Sequence, residues 1–139
     1  MKSVLALVFS PVLLAQNAPP LVPEGVHKLA DGPATYCGIT ASSAADFQRQ
    51  VIASPRAKKI TETDQFIGYD GPDDLTMWAF AKPGATAYPL ATCRYVYVEN
   101  GTTYMGREMR CDDTRERCDR AFLQFQELDE QAKQSIQGR

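Results

Sequence analysis

The sequence is poor in the residues that many enzymes and nucleic-acid-binding proteins rely on. It has one histidine, His27, no Cys-x-x-Cys pair and no excess of basic residues, with 15 Lys and Arg against 17 Asp and Glu. A formal charge of −2 provides no positive field to hold nucleic acid phosphates or an anionic membrane surface. We therefore exclude nucleic acid as a partner, and the chain has no polybasic patch for membrane binding.

The missing histidines also argue against catalysis by a nucleophile and a base. His27 lies in a proline-rich segment, so no Ser-His or Cys-His pair is expected. The paired acids Asp73-Asp74 and Asp112-Asp113 lie beside a predicted turn and a predicted helix start, where Asp is favoured for local hydrogen bonding. No glycine-rich phosphate loop occurs. We expect a protein that is not an enzyme, with no catalytic residue and no cofactor.

Residues 1–15 have the pattern of a secretory signal peptide. A single Lys2 precedes an apolar run from Val4 to Leu14, and the small residue Ala15 follows. Cleavage is expected directly after Ala15, with cleavage after Ala18 as the alternative. The run is shorter than the roughly 20 apolar residues that a spanning helix needs, so no transmembrane segment is expected in the mature chain. The sequence predicts a periplasmic or secreted protein.

The segment after the signal peptide differs from the rest of the chain in its proline content. Residues 16–33 hold four prolines and two glycines, which predicts an extended lead over residues 16–35. Residues 36–139 have an ordinary mixture of apolar and charged residues and no internal repeat. They are predicted to form a single globular domain.

Four cysteines, Cys37, Cys93, Cys111 and Cys118, occur in this predicted exported chain. An even number in an oxidising compartment favours two disulfides. A zinc site is the rival interpretation. Because the cysteines are 56, 18 and 7 residues apart and only one histidine is present, we expect no metal.

Two segments have the spacing of helices. Ser43-Ala44-Ala45-Asp46 has the form of a capping box and predicts a short helix from Ala44 to about Ala53. Asp113-Thr114-Arg115-Glu116 is a second capping box and predicts a helix to about Ile136. One apolar stripe of that helix is formed by Cys118, Phe122, Phe125, Leu128, Ala132 and Ile136.

The middle of the chain has the pattern of strands. A β-favouring run extends from Ile60 to Tyr69, and further strands are predicted over Leu75–Lys82, Cys93–Glu99 and Thr102–Cys111. Asn100-Gly101 is typical of a two-residue type I′ hairpin turn. The predicted fold is α+β, an antiparallel β-meander of about four strands with the long C-terminal helix packed on one face and a short N-terminal helix.

The hairpin turn also predicts which cysteines pair. It places Glu99 opposite Thr102, so Cys93 and Cys111 have opposite strand parity and point to opposite faces. Cys118 lies on the apolar stripe of the helix that packs on the face of Cys111. The expected disulfides are therefore Cys111–Cys118 and, by elimination, Cys37–Cys93.

The face away from the long helix is rich in aromatic residues. If the strands share parity, it carries Trp78, Phe80, Tyr95, Tyr97 and Tyr104. These residue types are frequent in binding hot spots, which makes this face a candidate binding surface. The alternative is a second core, covered by the short helix and the proline-rich lead. A bare aromatic patch of this size would promote aggregation, so we expect a core, with Tyr97 buried in it.

A second candidate surface is a group of arginines, Arg107, Arg110, Arg115 and Arg117, which could bind an anion or an acidic partner. Acidic residues are interleaved with them, and this mixture is more typical of an ion-paired, solvated helix start. Asn100-Gly101-Thr102 also matches a glycosylation sequon, although the hairpin turn explains Asn-Gly without it.

The best hypothesis from sequence is a small exported, non-enzymatic binding or envelope-associated protein. It would hold a protein or an envelope polymer through the aromatic face or the arginines. The alternative is a periplasmic inhibitor of an envelope-attacking enzyme, of lysozyme type or a protease, which would plug a cleft with a loop such as Lys82–Pro89. Nothing in the sequence names the ligand or sets the oligomeric state.

Overall fold

The computed structural model describes residues 32–73 and 75–137. The predicted signal peptide, His27 and most of the proline-rich lead lie outside these residues. The elements in chain order are β1 (Ala34–Tyr36), β2 (Ile39–Ala41), α1 (Ala44–Ala53), β3 (Lys58–Glu62), β4 (Phe66–Asp70), β5 (Thr76–Ala81), β6 (Leu90–Glu99), β7 (Thr102–Cys111) and α2 (Arg115–Gln137).

The main sheet has five antiparallel strands in the order β3-β4-β5-β6-β7, and β1 and β2 form a separate two-stranded ribbon. The predicted α+β meander with a C-terminal helix is confirmed, but about four strands were expected. The run predicted from Ile60 to Tyr69 folds as two strands because Thr63 begins a turn. Its side-chain oxygen accepts hydrogen bonds from the backbone N–H groups of Gln65 and Phe66.

The β1–β2 ribbon starts within the segment predicted as an extended lead. Cys37 and Gly38 have φ angles of 45° and 78°, and Tyr36 pairs with Ile39 across them. Two consecutive residues at positive φ form the tight turn of a two-residue hairpin. Asn100 and Gly101, at 51° and 77°, have the same signs, so the turn predicted there is present.

Helix α1 has the predicted bounds and the predicted cap. Ser43 accepts a hydrogen bond of 3.1 Å from the backbone N–H of Asp46. The residues on its buried face are Ala44, Phe47 and Val51. Helical spacing therefore turns this face toward the sheet.

One core lies between the sheet and the layer formed by α1 and the β1–β2 ribbon. Phe47 stacks between Tyr36 and Trp78, with ring centroids 5.2 and 5.5 Å apart, and Trp78 stacks on Phe80 at 5.7 Å. Cys37 forms a disulfide with Cys93 in this layer, as predicted.

A second core lies under α2 on the opposite face. It contains Leu90, Met109, Cys111, Cys118, Ala121 and Phe125. The Cys111–Cys118 disulfide joins the end of β7 to the first turn of α2, as predicted. The sheet therefore separates two cores, and each contains one disulfide.

The structure corrects two details of the predicted C-terminal helix. Thr114, one residue after the predicted cap, caps α2: its side chain accepts from the N–H of Arg117 at 3.4 Å. The apolar stripe was expected to be buried as far as Ile136, yet Leu128 within it is 54% exposed. Beyond Phe125, Asp129 links the helix to Arg107 of β7 through two bonds of 2.7 Å.

Candidate functional site

The β6–β7 hairpin extends beyond the rest of the sheet. Both strands have ten residues and the predicted register, with Glu99 opposite Thr102. Strand β5 pairs with β6 only as far as Thr76 opposite Tyr95. The N–H of Val96 makes one further bond of 3.3 Å to the carbonyl of Leu75. Residues 95–106, here called the hairpin end, therefore lie largely outside the five-stranded part.

Three tyrosines line one face of the hairpin end. The ring of Tyr97 lies 6.0 Å from that of Tyr95 and 5.3 Å from that of Tyr104, with an angle of 20° between the last two rings. Tyr97 and Tyr104 are 44% and 43% exposed. Tyr95 is less exposed, and burial, followed by the nearby Glu108 and Tyr97, raises the pKa of its hydroxyl.

Gly106 leaves room for the ring of Tyr95, which lies over it. A β-carbon at position 106 would lie 2.3 Å from Cζ of Tyr95, far inside van der Waals contact. Tyr95 and Gly106 are directly opposite each other in the ladder. The glycine therefore lets the aromatic ring lie flat across β7 and sets the position of the whole tyrosine stack.

The opposite face of the hairpin end is aliphatic. Val96 and Val98 project from this face, together with the partly buried Met105. Val98 is 68% exposed, and Leu75, which directly precedes β5 and bonds to Val96, is also exposed. The hairpin end is apolar on both sides and projects from the fold.

The predicted aromatic face is therefore divided into two regions. The ladder confirms that its five residues share one face of the sheet, but Trp78 and Phe80 are fully buried. The reason is that α1 and β1 cover them, with Phe47 stacked on Trp78. They belong to the core and cannot form part of a binding surface. The expectation that Tyr97 is buried in the core is wrong, because this cover ends before it reaches the hairpin end.

The predicted arginine corner is not formed, and Arg110 is the clearest case. It is buried on the α1 face, where its guanidinium donates to the carbonyls of Gly32 and Ser42 at 3.0 Å and to Asp112 at 2.6 Å. The same Asp112 accepts from the N–H of Ala44. Arg110 therefore links β7 to the N-terminal layer and is not available to an external anion.

The other three arginines also have partners within the fold. Arg107, on the α2 face, makes two bonds of 2.7 Å to Asp129 and lies 4.6 Å from the ring centre of Phe125. Arg115 pairs with Asp119, and Arg117 with Asp113. The four residues are close in sequence but do not form one patch, because Arg107 and Arg110 point to opposite sides of β7 and Arg115 and Arg117 lie at the start of α2.

The loop between β5 and β6, which includes Lys82–Pro89, is packed against the body of the protein. Ala85 and Ala87 are buried in the core under α2. Arg117 donates to the carbonyls of Ala85 and Thr86, and the N–H of Tyr88 donates to Asp113 at 2.9 Å. This loop therefore lacks the projecting shape that a cleft-plugging segment needs.

The described residues contain one group with the composition of a metal site. The ligand atoms of Cys37, Cys93 and Glu108 lie within 4.8 Å of one another, but the two sulfurs are joined in a disulfide and are not thiolates. Glu108 instead accepts a hydrogen bond of 3.0 Å from the N–H of Cys37. The pKa of the nearby Tyr36 is raised, chiefly by burial. A neutral phenol beside a structural disulfide does not indicate acid-base chemistry at neutral pH.

An open cavity of about 580 Å³ lies between α2 and the β3–β4 turn. Phe66, Phe125 and Leu128 form its apolar floor, and Asp64 and Glu127 lie on its rim. The sequence analysis did not identify it. The only sequence signal was Leu128, which continues the apolar stripe of α2 beyond the part that packs on the sheet.

A scan against protein-family models, a search of curated proteins and a search of solved structures each found no match. No helix among residues 32–73 and 75–137 combines the length and the apolar character needed to cross a membrane.

Proposed function

We propose that this chain is a small exported, non-enzymatic binding protein that holds a protein partner at the hairpin end. The observation that carries the proposal is that the hairpin end exposes Tyr97 and Tyr104 on one face and Val96 and Val98 on the other. Exposed apolar patches on water-soluble folds are typical of interaction sites. The two disulfides support export, because disulfides persist mainly in oxidising compartments.

The stacking of the rings favours a protein over an envelope polysaccharide. A sugar binds against an open ring face, but Tyr97 and Tyr104 stack on one another at 5.3 Å, so each ring has one face occupied by its neighbour. The exposed valines on the opposite side offer nothing to a hydroxylated polymer. A partner with an apolar cleft could contact both faces of the hairpin at once.

Site-specific crosslinking tests this proposal. A photoreactive phenylalanine analogue would replace Val98 in one variant, Tyr104 in a second and the exposed Arg49 of α1 in a control. We expect the same protein to crosslink at both hairpin positions and not at position 49. Its affinity for the purified chain should fall at least tenfold on Val98→Asp. Equal crosslinking at position 49, or unchanged affinity, would contradict the proposal.

Binding and inhibition assays with the purified chain separate the remaining alternatives. If the chain binds isolated envelope polysaccharide, and Tyr104→Ala abolishes that binding, a polymer ligand is favoured. If the chain inhibits a lysozyme or a protease, and Val98→Asp abolishes that inhibition, the inhibitor hypothesis is favoured. The hairpin end, and not the Lys82–Pro89 loop, would then be the segment that enters the cleft.

Mass spectrometry of the exported chain should give a mature N-terminus at Gln16 or directly after Ala18. Intact Met1 in a cytoplasmic fraction would argue against export.

A further inference from the structure

The cavity between α2 and the β3–β4 turn has the dimensions of a small-molecule site. Its volume of about 580 Å³ falls in the range of roughly 300–1,000 Å³ found for such pockets. Phe66 and Phe125 meet at its base in an edge-to-face pair with centroids 4.9 Å apart. Leu128 completes this floor and is 54% exposed there. The floor can therefore bury an aryl or alkyl group of a ligand.

The charges that line the cavity have one sign. Asp64 stands on the wall made by the β3–β4 turn and Glu127 on the wall made by α2, and the other rim residues are uncharged. Within the described ranges neither carboxylate has an ion-pair partner. Two basic groups contact residues that line the cavity, and both are paired: Lys82, which bonds to the Thr63 carbonyl, pairs with Glu62, and Arg107, which lies over Phe125, pairs with Asp129. A ligand that brings a positive charge would therefore find two acceptors with no intramolecular competitor.

From this combination we propose that the cavity binds a small organic cation with an apolar body, such as an arylalkyl ammonium or guanidinium compound. The apolar part would lie on Phe66 and Leu128, and the charged end would lie between Asp64 and Glu127. Attraction between exposed charges is modest and is screened by salt. The preference for a cation over a neutral compound is therefore expected to be moderate and to decrease as ionic strength rises. This site is separate from the hairpin end and does not depend on the proposed function.

Three probes that share a phenyl ring and a four-carbon chain, but differ in the charge of the head group, test the proposal: phenylbutylammonium, phenylbutanol and phenylbutyrate. Titration of the full mature chain is followed by amide NMR shifts at low salt. We expect saturable shifts confined to residues 63–66 and 124–131. The ammonium should bind at least about threefold more tightly than the alcohol, and the carboxylate should bind most weakly.

Matched variants separate the contribution of charge from that of the apolar floor. The double variant Asp64→Asn/Glu127→Gln should bind the ammonium and the alcohol equally, and Leu128→Ser should weaken both. Glu99→Gln makes the same kind of charge change at the hairpin and should keep the preference. Equal binding of ammonium and alcohol to the unmodified chain would overturn the proposal. So would shifts outside the cavity, or binding of a basic peptide but of none of the three probes.

Discussion

Burial changes sharply between neighbouring residues on one face of the sheet. Trp78 and Cys93 are opposite each other and fully buried, whereas Tyr97, four residues further along β6, is 44% exposed. Helix α1 has ten residues, so it is about 15 Å long and covers only part of a ten-residue strand. The type of residue does not explain why one aromatic side chain is buried and the other exposed. The limited length of the covering helix explains it.

Alanine substitutions at Trp78 and Tyr97 should therefore have very different effects. Trp78→Ala removes a side chain packed between Phe47 and Phe80 and should lower the free energy of unfolding by about 3–5 kcal/mol. Tyr97→Ala loses stacking on two tyrosines but leaves no cavity, and should cost about 1 kcal/mol. Urea denaturation measures both values. A loss of more than about 3 kcal/mol for Tyr97→Ala would restore the interpretation of Tyr97 as a core residue.

The contact between Gly106 and Tyr95 gives a prediction about coupling. Gly106→Ala places a methyl group where the ring lies, and should lower the free energy of unfolding by about 1–3 kcal/mol and change the near-ultraviolet circular dichroism of the tyrosines. In the background of Tyr95→Ala the same change should cost much less, because the ring that it meets is absent. Additive costs in this double-mutant cycle would contradict the steric explanation.

At the scale of elements, the start of α2 and the β5–β6 loop are held together by Asp113. Its carboxylate accepts from the N–H groups of Tyr88 and Thr114 at 2.9 and 2.7 Å and pairs with Arg117 at 3.2 Å. These contacts lower the pKa of Asp113, the bond from Tyr88 having the largest effect. Because the folded state has the lower pKa, this stabilisation is present at neutral pH and is lost as the pH falls through the folded-state pKa.

Asp113→Asn should therefore lower the urea midpoint at pH about 7, since the uncharged amide cannot form the ion pair. At an acid pH below the lowered pKa of Asp113, the difference from the unmodified chain should shrink, because a protonated Asp113 is also neutral. Glu99→Gln, at an exposed position without a described partner, serves as the control and should behave like the parent at both values. A difference that grows toward low pH would mean that Asp113 is not stabilising in its charged form.

Elements whose signals are local could be predicted from the sequence. Asn100-Gly101 determined the hairpin register, and that register with the apolar stripe of α2 was enough to pair the cysteines. The partners of charged residues could not be predicted in the same way. Arg107 meets Asp129, 22 residues away, and Arg110 meets the carbonyl of Gly32, 78 residues away. The cavity was missed for the same reason, since its two walls come from distant segments.

At the scale of the whole molecule, each of the two cores has its own disulfide. Cys37–Cys93 links the α1 layer to β6 across 56 residues, and Cys111–Cys118 links β7 to α2 across 7. A crosslink stabilises the folded state mainly by restricting the unfolded chain, and the effect grows with the length of the closed loop. The two bonds should therefore contribute unequally.

Replacing both cysteines of one pair with alanine should show this difference. We expect a loss of about 4 kcal/mol for the Cys37–Cys93 pair and about 2 kcal/mol for the Cys111–Cys118 pair. Unfolding free energies of the two double variants, measured without reductant, give the comparison. A larger loss from the short loop would mean that packing of Cys118 against the sheet, and not chain entropy, dominates the contribution of that disulfide.

The strand order leaves β3 and β7 at the two edges of the sheet. Charged side chains on edge strands discourage pairing with another chain. Strand β3 carries Lys58, Lys59 and Glu62, and the inner half of β7 carries Arg107, Glu108 and Arg110. The outer half of β7, Thr102–Met105, has no charge at all. The hairpin end is thus the least protected edge of the sheet, and a partner seated on it would also prevent the backbone of one copy from adding to the sheet of the next.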